Sequence, residues 1–81
     1  MIYEQDNDNE KFKQIVSRLE LFKKEKMVVH CLFKNLGRKT FYNGLIQSIL
    51  PDRFVIVDKK FGASLVFYCD IEKLENYRGF L

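Results

Sequence analysis

The sequence predicts a mainly β domain: an N-terminal α-helix followed by a small, strongly bent five-stranded antiparallel barrel. Three observations carry this. Apolar residues recur at helical spacing only ahead of Lys26; short β-branched and aromatic runs separated by turn residues follow it; and a lone glycine, Gly44, interrupts the longest of those runs. The 81 residues leave room for one domain, and a domain this small buries only roughly 60% of its unfolded surface. A composition 47% hydrophobic, with eight Phe and four Tyr, supplies a packed core.

Residues 1–7 are polar and acidic and are expected to fray as a flexible tail ahead of a single domain at 8–81. The helix is placed at about 8–24. Phe12, Ile15, Val16, Leu19 and Phe22 form one apolar stripe, while Lys11, Lys13, Arg18, Glu20 and Lys24 take the other faces. Asn7 with Glu10 three residues on resembles a capping box, and acids in the first turn with Lys23, Lys24 and Lys26 at the end suit the helix dipole.

The barrel occupies about 27–77. Met27–Phe33 is a β-branched and aromatic run with His30 as its one polar interruption, and Asn35–Arg38 makes a tight turn in which Gly37 takes a positive φ. A second strand spans Lys39–Leu50, with Gly44 marking a bulge or a sharp bend where another backbone comes close. Pro51 and Asp52 break that strand. Phe54–Val57, Ser64–Cys69 and Ile71–Tyr77 complete the set, with a charged turn at Asp58–Gly62. The fourth strand has no charge, so its bare edge is an aggregation hazard unless something covers it. A second copy adding its own edge strand is the simplest cover, and a head-to-tail contact of that kind closes into a ring when the rotation permits. A homo-oligomer is therefore expected.

Formal net charge is +3, but the first ten residues hold four of the eleven acids and no base, so residues 11–81 set fourteen bases against seven acids. That excess favours a polyanion, nucleic acid above all. Cys31 and Cys69 sit in apolar runs without metal-ligand spacing and are read as small buried hydrophobes. No secretory signal opens the chain, and a reduced, cytoplasmic compartment is expected. No apolar stretch approaches a membrane span. The single histidine, the scattered carboxylates and the widely spaced glycines exclude a triad, a multi-histidine metal site and a phosphate loop, so neither an enzyme nor a cofactor is expected. His30 is read as a strand residue satisfied by its neighbours.

With its elements in this order, the chain resembles the Sm and Sm-like family over residues 9–77. Val29, Leu32, Gly37, Tyr42, Gly44, Ile46 and Ile49 are similar to the family's first motif. Leu65 to Ile71 is similar to its second and is closer in flavour to bacterial Hfq than to eukaryotic Sm proteins. The resemblance implies an Sm-like fold, a ring whose subunits pair through their fourth and fifth strands, and single-stranded RNA as partner. The chain departs from the family where RNA is held. Leu50 and Phe54 stand at the usual Asp and Asn positions, Asp52 stands at the stacking position between them, and Tyr68 and Cys69 replace the Arg-Gly or Lys-His pair. The uridine pocket is thus not carried over. Arg53, Phe54 and Tyr68 are the expected substitutes for stacking, with Arg38, Lys39, Lys59 and Lys60 in turns as phosphate contacts. The alternative is a non-enzymatic adaptor on the same barrel that recruits a protein partner by strand addition.

Overall fold

The structure, a computed structural model, describes residues 2–77, with side chains from Glu10 onward. Helix α1 (Ile2–Lys24) leads into β1 (Val29–Asn35), β2 (Arg38–Ile49), β3 (Arg53–Asp58), β4 (Gly62–Phe67), a 3-10 turn (Tyr68–Asp70) and β5 (Ile71–Asn76). One helix and a mainly β, five-stranded antiparallel sheet are as expected. The helix, however, starts at Ile2 instead of residue 8, so residues 2–7 are helical and not a frayed tail. The acids Glu4, Asp6 and Asp8 lie in its first two turns, where the dipole favours negative charge. Asn7, expected as the cap, therefore falls inside the helix; its side chain lies outside the described set, as do residues 78–81 of the expected domain.

The apolar stripe of α1 faces the sheet: Leu19 and Phe22 are buried, and Phe12, Ile15 and Val16 pack against the same core. Arg18 fastens one flank of this face, donating from its guanidinium to the carbonyl of Leu74 on β5 and lying 5.7 Å over the Phe22 ring. The helix ends in a Schellman motif. Lys26 takes a left-handed φ of 54°, its N–H donates to the Lys23 carbonyl, and the Met27 N–H reaches the Phe22 carbonyl at 3.0 Å. Among the described residues no helix is long and apolar enough to cross a membrane.

The strand order is β4-β3-β2-β1-β5. Alternate residues point inward, so Val29, Cys31 and Phe33 on β1, Ile46 on β2, Phe54 and Ile56 on β3, Val66 on β4 and Leu74 on β5 build the core with the helix. Gly44 lies where β2 leaves β1 and joins β3, pairing with Val29 on one side and Asp58 on the other. The sheet does not close into a barrel: β4 and β5 are both edges. The residues between them explain this. Tyr68 turns into the core, its N–H bound to the Asp52 carbonyl at 3.0 Å and its hydroxyl donating to the Leu50 carbonyl. The chain at 68–70 therefore crosses the open end as a 3-10 turn instead of continuing β4 as a ladder partner for β5, and β4 ends at Phe67, not at Cys69. Cys31 is buried as expected, with burial pushing its thiol up to about 12, but Cys69 is exposed.

The β1–β2 turn places Leu36 at φ 53° and Gly37 at φ 79°. Positive φ at both central positions is the type I′ geometry that suits the twist of a hairpin, and glycine meets it freely. A leucine there is strained by roughly 1–2 kcal/mol.

Candidate nucleic-acid interface

The seven residues expected to contact RNA divide between two ends of the sheet. Arg53 opens β3 beside the β2–β3 loop, 3.5 Å from the Asp52 carboxylate and 5.5 Å over the Phe67 ring, with its Nε buried and without a hydrogen-bond partner. Phe54 and Tyr68 have no exposed surface, and their rings stack on each other at 6.2 Å. Neither presents a face to a base, so the stacking role expected of them does not fit their positions. Inward residues of adjacent elements meet in the core, and an apolar run in the sequence does not distinguish that from an exposed platform. Arg38 and Lys39 stand at the β1–β2 turn, and Lys59 and Lys60 at the β3–β4 turn. Arg53 is separated from Lys59 by the length of β3, about 20 Å at the rise of a strand.

The two basic turns point the same way but are staggered: Asp58 at the end of β3 pairs with Gly44 midway along β2, while the β1–β2 turn lies at the start of β2. Beside the β3–β4 turn, on the outward face, lies a groove of about 650 Å³ bordered by Phe41, Leu45, Val57, Phe61 and Tyr77, with Lys59 and Lys60 at its rim. Phe41 is 52% exposed and Phe61 66%. His30 flanks the groove, its ring 5.5 Å from Phe41 and 6.0 Å from Tyr77. It donates from Nδ1 to Asn43 Oδ1 at 2.6 Å, the local satisfaction that the sequence suggests. Sequence reasoning passes over Phe41, Phe61 and Tyr77. A usable signal is that outward Phe41 and Leu45 alternate with inward Tyr42 and Ile46: a sheet apolar on both faces has an outer face with something to bind.

Asp58 holds the groove's wall. Its carboxylate, mostly buried, accepts hydrogen bonds from the backbone N–H groups of Asn43 at 2.9 Å, Lys60 at 2.6 Å and Phe61 at 3.1 Å. The bond from Asn43, followed by those from Lys60 and Phe61, holds its carboxyl below the ordinary carboxylate value, against the opposing effect of burial. The sign follows from a depressed folded-state pKa. The stabilisation is complete above the unfolded value of about 3.9 and is lost as pH falls through the lower folded value. Asp58→Ala is expected to cost roughly 1.5–3 kcal/mol at neutral pH. That difference from wild type should shrink below about pH 4, as read from urea midpoints across a pH series; a constant difference would mean that the charge is not what holds the turn.

No family model and no curated protein matches the chain. The surface's own chemistry is then the guide to what it binds. Exposed rings supply π-faces, the two lysines supply point charges suited to phosphates, and Asp58 is already occupied by backbone donors. Among the described residues no three His, Cys, Asp or Glu side chains gather to hold a metal ion.

Proposed function

We propose that the chain is an Sm-like, non-enzymatic module that binds single-stranded RNA in the cytoplasm and assembles into a ring. Bases stack in the Phe41–Phe61–Tyr77 groove while Lys59 and Lys60 take phosphates. The observation that carries this reading is the exposure of two phenylalanine rings, Phe41 and Phe61, in an apolar groove rimmed by lysines. The two edges support the ring. β4 is uncharged and bare, β5 carries Glu72, Lys73 and Glu75, and one edge of each kind on every copy suits a head-to-tail contact.

Phe41→Ala and Phe61→Ala are each expected to weaken binding of a short U-rich or A-rich single strand fivefold or more, from a stacking contribution of about 1–3 kcal/mol. Wild-type affinity should fall by about 0.7 logarithmic units per decade of salt for each phosphate neutralised. Weak binding that is flat with salt, or full affinity in both variants, overturns the reading, and a monomer by light scattering removes the ring. The second reading is a protein-interaction adaptor, favoured by Leu65 and Phe67, which stand exposed on the bare β4 edge. It predicts that an extended peptide, and not RNA, binds the protein by strand addition.

A further inference from the structure

We infer that the tip of the β1–β2 hairpin is a second contact for the same nucleic acid, with Leu36 wedged between adjacent bases and Lys34, Arg38 and Lys39 on the flanking phosphates. This rests on the RNA-binding reading above and extends it to a region which that reading does not use.

The hairpin end breaks two local rules at once. Leu36 holds a left-handed φ of 53° at a turn position suited to Asn, Asp or Gly, and it is 94% exposed, more than any other large apolar side chain among the described residues. Lys34 and Lys39 are then paired directly across the ladder, an arrangement of like charges that opposes strand pairing. One carboxylate, Glu72, serves both, at 4.0 Å from Lys34 and 3.6 Å from Lys39. Arg38 has no ion-pair partner among the described residues. Strain and an excess of positive charge weaken the free hairpin, and with the exposed leucine they suit a polyanion carrying flat apolar faces between its charges.

The placement is continuous with the groove. Along β2 the outward residues are Lys39, Phe41, Asn43 and Leu45; across the ladder Lys34 faces Lys39, Leu32 faces Phe41 and His30 faces Asn43. A strand stacked on Phe41 and Phe61 and running toward the turn meets Lys39 and Lys34 next and Leu36 at the end. A single-stranded nucleic acid fits better than a bilayer. Membrane binding scales with buried apolar area, and one leucine offers little, whereas the gap between two bases accepts one apolar side chain.

The test uses the full chain and a short single-stranded RNA. Leu36→Asn should raise the melting temperature, because Asn adopts left-handed φ readily, and should weaken binding roughly fivefold. The paired substitution Lys34→Gln and Lys39→Gln should reduce the slope of log affinity against log salt by about 1.4, two phosphates' worth for a single strand. If Leu36→Asn binds as tightly as wild type while Phe61→Ala does not, the wedge is wrong and the groove stands. If wild type binds no RNA, both fall. Loss of co-sedimentation with phosphatidylserine-containing vesicles in Leu36→Asn, with RNA affinity unchanged, overturns the inference in favour of a membrane contact.

Discussion

Gly44→Ala is expected to lower stability by roughly 3 kcal/mol or more, at the upper end of what overpacking costs. A Cβ at this position would lie 2.0 Å from the Val57 carbonyl oxygen, 2.6 Å from its carbon and 3.0 Å from the Asp58 Cα. All three are backbone atoms, and they cannot yield separately: Val57 pairs with Leu45 and Ala63, and Asp58 with Gly44 and Gly62, so β3 is held on both sides. Relief requires parting β2 from β3 where Asn43 holds the Asp58 carboxylate and the two strands form one wall of the groove. At about 0.05–0.15 kcal/mol per residue, a chain of this size has little reserve against such a loss. Gly37→Ala and Gly62→Ala are the controls. Each has φ 79° but open space around the added carbon, so only backbone strain remains, on the order of 1 kcal/mol. Denaturant midpoints of the three variants measure the contrast, and a Gly44→Ala protein as stable as the two controls would rule out the close approach.

Gly44 is also where the sequence is most legible. A glycine in the middle of a long strand has few uses, and a neighbouring backbone pressed against it is the one found. The helical stripe from Phe12 to Phe22, the Gly37 turn and the strand order along the chain are legible for the same reason: period and turn chemistry are local. Closure is not local. Whether Val66-Phe67-Tyr68 continues as a ladder or dives into the core depends on the Leu50 and Asp52 carbonyls, contributed by a loop some sixteen residues earlier. The candidate site fails to emerge for a related reason. The sequence brings Arg53, Phe54 and Tyr68 together as apolar and basic neighbours, yet burial decides which ring meets solvent, and it hides Phe54 and Tyr68 while leaving Phe41 and Phe61 exposed. The turn bases Lys59 and Lys60 are legible because solvated charge at a turn needs no tertiary context.

Tyr68→Ala is expected to cost roughly 3–5 kcal/mol, as for deletion of a large buried ring, and Tyr68→Phe only about 1 kcal/mol. The ring joins three parts of the fold: it stacks on Phe54 of β3 with 17° between planes, receives Phe12 of the helix edge-on at 5.4 Å, and its hydroxyl reaches the Leu50 carbonyl of the β2–β3 loop. Alanine empties all three contacts and leaves the helix without one of its supports. Phenylalanine removes the loop's hydrogen bond alone. Burial, reinforced by the charges of Asp52 and Glu20, raises the phenol above its ordinary value near 10. A raised folded-state pKa means that its contribution is intact below the unfolded value and is lost only as pH climbs through the higher one. In an alkaline titration followed by tyrosinate absorbance, the wild type should therefore retain a late component that coincides with unfolding and is missing in Tyr68→Phe. The same pair of variants separates a core role from a binding role. A base-stacking tyrosine replaced by alanine leaves the fold intact and weakens RNA binding. A core tyrosine replaced by phenylalanine leaves RNA binding unchanged while lowering the denaturation midpoint, which is the outcome that zero exposure dictates.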